Sequence, residues 1–311
     1  MFMGTPEFAV PSLEALIEAK YDVVGVFTQP DRPKGRGGKM QQSPVKTYAV
    51  GQGILVYQPL KIRQDGLEDL RALAPDLCVT AAFGQILSQE VLDIPRMGTV
   101  NVHASLLPRH RGAAPVQWAL LQGDAETGVT TMLTDRGIDT GDMLLKAACP
   151  ITEKDTAREL LVQLSHMGAS LLIETIGKLA SGSCPREKQD ETQATYDPML
   201  RKEMGFLDFS EGTQQCLRRV RAMDPWPCAY ANLAEGVLKV WRAKAAQNAE
   251  ASAAPGTVLC ADPKQGLVIA ALDGAVELVE VQAPNAKRMD ARSFLRGHEI
   301  ETGKLLHEVK A

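Results

Sequence analysis

Up to residue 134 the chain alternates short β-branched or apolar runs with helix-compatible stretches, and no other feature narrows its possible folds as far. Val23 to Phe27, Ile54 to Tyr57, Leu77 to Ala82, Thr99 to His103 and Val129 to Thr134 are bounded by Gly, Pro, Asp or Gln and read as strands. Between them, Pro11 to Ala19, Pro44 to Val50, Leu67 to Leu73 and Val116 to Leu121 carry helical patterning, and Asp155 to Leu179 carries the longest. Strands and helices in alternation pair parallel through right-handed crossovers, which predicts a Rossmann-like α/β fold with a doubly wound, mostly parallel sheet. Ligands of such sheets bind beyond the carboxyl ends of the strands. The first strand is the odd one. Only Met1 to Met3 precede Gly4-Thr5-Pro6, against a usual ~5–6 strand residues, so about four or five residues are expected to be missing from the start; if the short strand is instead real, the edge of the active-site sheet would be weakened.

With 311 residues the chain exceeds what one hydrophobic core usually holds, so two domains are expected. Ser181-Gly182-Ser183-Cys184-Pro185 breaks the long helix and a polar stretch follows, which places a first domain at 1–184, a linker at 185–202 and a second domain at 203–311. The second has one helical stretch, Ser210 to Ala222. Short strands follow at Val237 to Arg242, Thr257 to Cys260, Leu267 to Ala271 and Ala275 to Val281, the pattern of a small OB-like β-barrel. The longest uninterrupted apolar runs, such as Leu77 to Phe83, fall short of the ~18–20 residues that span a bilayer, and no leader opens the chain, so no membrane association is expected. Six dispersed cysteines without C-x-x-C point to neither zinc nor disulfides and fit a reducing cytoplasm. A net charge of −4 supplies no global attraction for nucleic acid, so binding a polyanion would need a local basic patch.

Residues capable of chemistry cluster between Asn101 and Asp142. In Asn101-Val102-His103, strand alternation puts the amide and the imidazole on one side near a strand's carboxyl end. Together they suit a developing oxyanion, and imidazole can also pass a proton; the plainer reading is a histidine that caps a turn. The loop after the next strand holds Asp135, Asp139 and Asp142 among glycines. Each could be an Asx-turn former, or one could meet His103 across the top of the sheet and work with it in proton transfer. Aspartates without a nearby histidine define no metal site. There is no G-x-S-x-G, no cysteine with an evident partner histidine, no G-x-G-x-x-G and no P-loop, so a covalent nucleophile and nucleotide-cofactor roles are disfavoured. Two basic elements remain: the loop from Asp31 to Lys39, with Arg32, Lys34, Arg36 and Lys39, and a later helix with Arg218, Arg219 and Arg221. Either could meet phosphates or simply face water.

These segments carry a resemblance. Gly4-Thr5-Pro6-Glu7-Phe8-Ala9, Gln29-Pro30-Asp31-Arg32-Pro33, Asn101 to Arg109 with Arg111-Gly112-Ala113-Ala114-Pro115, and Gly137 to Asp142 are similar to the bacterial methionyl-tRNA formyltransferases, within the wider group of 10-formyltetrahydrofolate-dependent transformylases. Pro225-Trp226-Pro227, Val240-Trp241, Pro255-Gly256-Thr257 and Lys287-Arg288-Met289 before Phe294 to Gly297 extend the match over nearly the whole chain, although Asn285-Ala286-Lys287 stands where the family usually has Gly-Lys-Lys. The resemblance implies transfer of a formyl group from 10-formyltetrahydrofolate, without a metal, to the α-amine of methionyl initiator tRNA, by a cytoplasmic monomer. Carried over residue by residue, it implies catalysis by Asn101, His103 and Asp139. Folate would be bound by Phe83, Gly84, Gln85, Ile86 and Leu87 together with Ser105, Leu106, Leu107 and Pro108. Contacts to tRNA would come from Arg36, with Lys34, Lys39, Arg218, Arg219 and Lys287. The alternatives are a transformylase acting on an amino sugar nucleotide or glycinamide ribonucleotide, which needs neither the barrel nor the basic loop, and a non-catalytic tRNA-binding protein.

Overall fold

The structure, a computed structural model, describes residues 1–34, 38–234, 236–247 and 253–308. It divides into two compact units, one of Met1–Pro115, Glu126–Pro150 and Leu160–Pro198, the other of Val116–Ala125, Ile151–Glu159 and Met199–Ala311.

The first unit opens with β1 (Phe2–Gly4), α1 (Val10–Glu18) and β2 (Val26–Phe27). A short hairpin of β3 (Arg32–Lys34) and β4 (Lys39–Gln41) follows, then α2 (Pro44–Gly51), β5 (Val56–Tyr57), α3 (Ile62–Asp65), α4 (Leu67–Leu73), β6 (Cys78–Ala81), α5 (Gln89–Leu92) and β7 (Thr99–His103). Next come β8 (Arg111–Gly112), α6 (Pro115–Gln122), which from Val116 on belongs to the second unit, β9 (Glu126–Leu133), β10 (Met143–Pro150), α7 (Ala157–Ala180), which belongs to the first unit from Leu160 on, and β11 (Tyr196–Asp197).

Seven strands form one sheet in the order β10-β9-β7-β6-β1-β2-β5. From β5 to β7 all pairs are parallel, while β7 with β9 and β9 with β10 are antiparallel. Along the parallel part the chain order reverses between β1 and β6, the switch point at which open α/β sheets bind ligands. β1 is short but central. Phe2 pairs with Val26 on one side and Val79 on the other, and Phe2 and Met3 have no exposed surface, so the expectation of a weakened edge does not hold. Met1, Met3, Phe27, Ile62, Leu70, Cys78, Phe83 and Val91 form a core cluster of this unit.

Two departures from the expected elements have simple causes. β10 carries no strand signal because MLLKAACP has no β-branched residue and ends in proline; as the edge strand of the sheet, paired along its length to β9, it tolerates both. α7 is long and apolar enough by length and composition to cross a membrane, although polar residues interrupt every apolar run within it. Half of its most apolar window is buried, with Leu160, Leu164, Leu172 and Thr175 at helical spacing on the inner face. Gly168 lets that face approach the sheet, since a Cβ there would stand 2.7 Å from a methyl of Val102.

The second unit is built on an antiparallel sheet in the order β12-β13-β16-β15-β14, with β17 paired to β16. Its elements in chain order are α8 (Thr213–Ala222), β12 (Ala229–Leu233), β13 (Gly236–Ala245), β14 (Val258–Asp262), β15 (Gly266–Ala271), β16 (Gly274–Gln282), β17 (Met289–Asp290) and α9 (Ala291–Leu295). Leu238, Val240, Leu267, Ile269, Val276, Leu278 and Val281 point inward with the alternation expected of strands covered on one face.

Candidate active site

β7 lies beside β6, next to the switch point, and its last residues carry the first two candidates. Asn101 pairs across from Thr80 of β6, whose hydroxyl donates to Asn101 Oδ1 at 2.9 Å. On the other side of the amide Asp139 Oδ1, a carboxylate oxygen that only accepts, lies 3.5 Å away, so Nδ2 is the atom offered to the site. His103, 6% exposed, places Nε2 2.8 Å from the carbonyl oxygen of His110. A carbonyl only accepts, so Nε2 carries the proton and, in the neutral ring, Nδ1 keeps the lone pair. Nδ1 faces Asp139 Oδ1 at 3.7 Å.

Of the three loop aspartates, the structure brings Asp139 alone to His103. Asp135 caps its own turn, accepting from the Gly137 amide at 3.0 Å and the Thr140 hydroxyl at 2.7 Å. Asp139 adopts φ 53°, and its Oδ2 accepts from the Gly112 amide at 2.9 Å. Its carbonyl and that of Gly141 both accept from Gln189 Nε2, at 2.7 and 2.8 Å.

Gln189 belongs to the stretch expected as linker, which through Pro198 instead folds onto the first unit. β11 pairs parallel with β8. Arg111, without exposed surface, donates to Gln189 Oε1, to both carboxylate oxygens of Glu191 and to the Tyr196 hydroxyl. Hydrogen bonding to Arg111 holds the Glu191 carboxyl below its ordinary pKa, and the same bond raises that of the guanidinium. His110 Nδ1 donates to Asp197 Oδ2 at 2.7 Å, with both side chains buried. Sequence reasoning passed over Thr80, His110, Gln189 and Asp197. The only available signal was the polar density of residues 186–197, which reads equally well as linker.

The expected folate stretch after β6 lies at the switch point. Ala82 and Gly84 have φ 45° and 77°, and the carbonyls of Phe83 and Gly84 accept from Gln29 Nε2 at 3.3 and 3.0 Å. Phe83 is in the core, Gln85 bonds the Ile62 amide and the Pro59 carbonyl, Leu87 packs against the core, and Ile86 stands 72% exposed. In the second stretch, Ser105 and Leu107 are buried, with Ser105 Oγ donating to the Arg109 carbonyl, while Leu106 and Pro108 are half-buried.

Arg36 lies outside the described residues, and so do the neighbouring Gly35 and Gly37. The base of that loop is fixed by Asp31, which accepts from Lys46 Nζ at 2.7 Å and from Gln58 Nε2 at 2.8 Å; Lys34 pairs with the exposed Lys39 in the hairpin. In the second unit Lys287 is exposed. The arginines of α8 are turned to internal work: Arg219 pairs with Glu211 at 2.7 Å and donates to the Phe206 carbonyl, Arg221 donates to the Thr152 carbonyl, and the Arg218 guanidinium packs over Gly123. Among the described residues no group of three or more His, Cys, Asp or Glu is placed to hold a metal.

Residues 1–176 match the formyl transferase family and residues 199–299 the formyl transferase C-terminal domain. The methionyl-tRNA formyltransferase of Citrifermentans bemidjiense is 48% identical over 98% of this chain and 95% of its own length, and that of Geotalea daltonii 49% over 99% and 98%. In fold, the chain resembles an N-formyltransferase from Helicobacter canadensis solved with folinic acid and dTDP-3-aminofucose (TM-score 0.67, 20% identity, 93% of this chain and 98% of that one). It also resembles HypX from Aquifex aeolicus in complex with tetrahydrofolic acid (TM-score 0.63, 18% identity, 94% of this chain and 46% of that one). Matched along both parts of its length, and nearly half identical to relatives of one name, the chain belongs to the formyl transferase family, among the methionyl-tRNA formyltransferases.

Proposed function

We propose that this chain transfers the formyl group of 10-formyltetrahydrofolate to the α-amine of methionyl initiator tRNA, giving N-formylmethionyl-tRNA and tetrahydrofolate. The observation that carries the catalytic assignment is the convergence of Asn101 Nδ2, His103 Nδ1 and Asp139 Oδ1 at the carboxyl end of β7. In the transfer, the bond from the formyl carbon to N10 of the folate breaks, a bond from that carbon to the amine forms, and one amine proton ends on N10. An α-amine has a pKa of roughly 7.7–8.0, lowered by the adjacent ester, so neutral amine is present without a strong base. Asn101 Nδ2 donates to the formyl oxygen as negative charge gathers on it. His103 takes up the amine proton at Nδ1, where Asp139 stabilises the imidazolium, and passes it to the departing nitrogen.

The folate co-substrate supplies an activated formyl carbon. The residues after β6 suit a flat heterocycle with amide-like edges: Gly84 exposes backbone in a conformation that leaves its Cβ side open to all but Gln29, beside the exposed apolar Ile86. Phe83 to Leu87 and Ser105 to Pro108 would form that wall, the buried Ser105 and Leu107 by shaping the turn. For tRNA, the exposed Lys39 and Lys287 support contacts to phosphates, and Arg36 and Lys34 belong to the same basic run of sequence as Lys39. Arg218 and Arg219 would serve by holding α8 in place. The working division is a catalytic domain at 1–184, to which residues 185–198 are added by their packing, and a tRNA-binding domain at 203–311, in a cytoplasmic monomer.

The test is incubation with 10-formyltetrahydrofolate and methionyl initiator tRNA, read as formylmethionine. Methionyl ester, which offers the amine without phosphates, should react very poorly, because remote binding energy positions the amine. Faster formylation of an amino sugar nucleotide or of glycinamide ribonucleotide would overturn the reading.

A further inference from the structure

The loop between β7 and α6 joins the two sides of the candidate active site. The carbonyl of His110 receives the Nε2 proton of His103, and two residues later the amide of Gly112 donates to Asp139. The backbone at 110 to 112 therefore sets both the tautomer of the histidine and the place of the carboxylate. β11 holds that backbone. The Thr195 hydroxyl accepts from the His110 amide at 2.7 Å, the Thr195 carbonyl from the Arg111 amide at 2.9 Å, and the Asp197 carbonyl from the Ala113 amide at 3.0 Å.

His110 itself lies at φ 61°, a left-handed conformation that a non-glycine residue keeps only where its surroundings over-determine it. Its side chain is what they hold. Nδ1 donates to Asp197 Oδ2 at 2.7 Å, and the two side chains are 4% and 2% exposed. Losing Asp197 would remove the acceptor of the buried Nδ1–H, and a turn of His110 toward another acceptor would swing its carbonyl away from His103.

We infer that His110 and Asp197 are positioning residues: their buried pair fixes the His110 carbonyl, and that carbonyl keeps His103 in the Nε2–H tautomer with Nδ1 directed at Asp139. The inference rests on the role proposed for His103. It adds that the segment leading out of the first unit is part of the catalytic apparatus, acting through the backbone.

The experiment compares the full-length protein with its Asp197→Ala and Asp197→Asn variants. Ring nitrogens are observed by NMR in 15N-histidine-labelled protein, with the His103 signals assigned from their loss in His103→Gln. Asp197→Ala should lower kcat on the order of 10–100-fold, since a misplacement of about 1 Å can cost 10²-fold, with KM for both substrates little changed. The His103 signals should move from the Nε2–H tautomer to a mixture. Asp197→Asn keeps an acceptor for His110 and should recover the wild-type tautomer and most of kcat. A lower Tm with unchanged kcat and tautomer, or a rise in KM alone, would show a merely structural pair. Should the alanine variant not fold, the asparagine variant decides, because wild-type tautomer with kcat still lost would make the charge of Asp197, and not its geometry, the active quantity. If the wild type formylates a different amine, kcat is compared on that amine. If it formylates none, the function fails while the tautomer measurement still tests the pair.

Discussion

Asp139 holds its carboxylate between Asn101 and His103 only because Gln189 clamps two carbonyls of its loop and Gly112 donates to Oδ2. Its turnover role is therefore sensitive to charge and to placement separately. His103→Ala and Asp139→Asn are each expected to lower turnover on the order of 10²–10³ while tRNA affinity changes little, measured under saturating substrates. The rate should also fall on the acid side as the attacking amine is protonated, and a profile flat down to about pH 5 would count against an amine nucleophile. Gly112 is a third sensitive point. At φ 96°, with a Cβ position 2.7 Å from the Asp197 carbonyl oxygen, it admits no side chain, so Gly112→Ala should cost about 1–3 kcal/mol of stability by denaturant titration and reduce turnover in the remaining folded protein.

At the level of elements, two carboxylates tie loops to the first unit. Asp31 is held below its ordinary pKa, first by the hydrogen bond from Lys46 and then by that from Gln58, and Glu191 by its bond from Arg111. A carboxyl depressed in the folded state adds stability above its unfolded pKa, and that contribution disappears as pH falls through the folded value. Asp31→Asn and Glu191→Gln should accordingly melt lower than wild type at pH 7. The difference should shrink below about pH 4, a convergence readable from thermal melts across pH. Because Asp31 anchors the base of the basic loop, Asp31→Asn should also weaken use of methionyl-tRNA without altering folate binding, and competition assays would reveal any folate effect.

For the whole molecule, the six cysteines report on both units. Burial pushes Cys78 and Cys216 up to about 12 and Cys228 up to about 11, whereas Cys184 and Cys260 are half-buried. Thiol labelling of the native protein at mild alkaline pH should modify Cys184 and Cys260 first, and the other cysteines only on unfolding; mass spectrometry of the labelled peptides checks this. Binding to tRNA is expected to depend on salt through local cations, since the net charge is −4. Arg36→Ala should reduce the slope of log affinity against log salt by roughly 0.7–0.9, whereas wild-type behaviour at every salt concentration would move recognition to the surface around Lys287.

The alternation of strands and helices, the placement of Asn101 and His103 on one side of a strand end, and the division of a long chain into two compact parts were legible because they depend on local periodicity and on chain length. Asp139 could be narrowed to one of three aspartates but not chosen, since Asx turns and active-site carboxylates draw on the same residues; only packing against Gly112 and Gln189 separates Asp139 from Asp135. The arginines of α8 likewise carry no mark in sequence to say that they turn to Glu211, Phe206 and Thr152. Residues 186–198 mislead most, because a polar segment looks the same whether it is solvated or meets a buried arginine 78 residues away and a buried histidine 87 residues away. Periodicity reports a neighbour along the chain, whereas His110, Arg111, Gln189 and Asp197 acquire their meaning from partners across it, and those are set only when the fold closes.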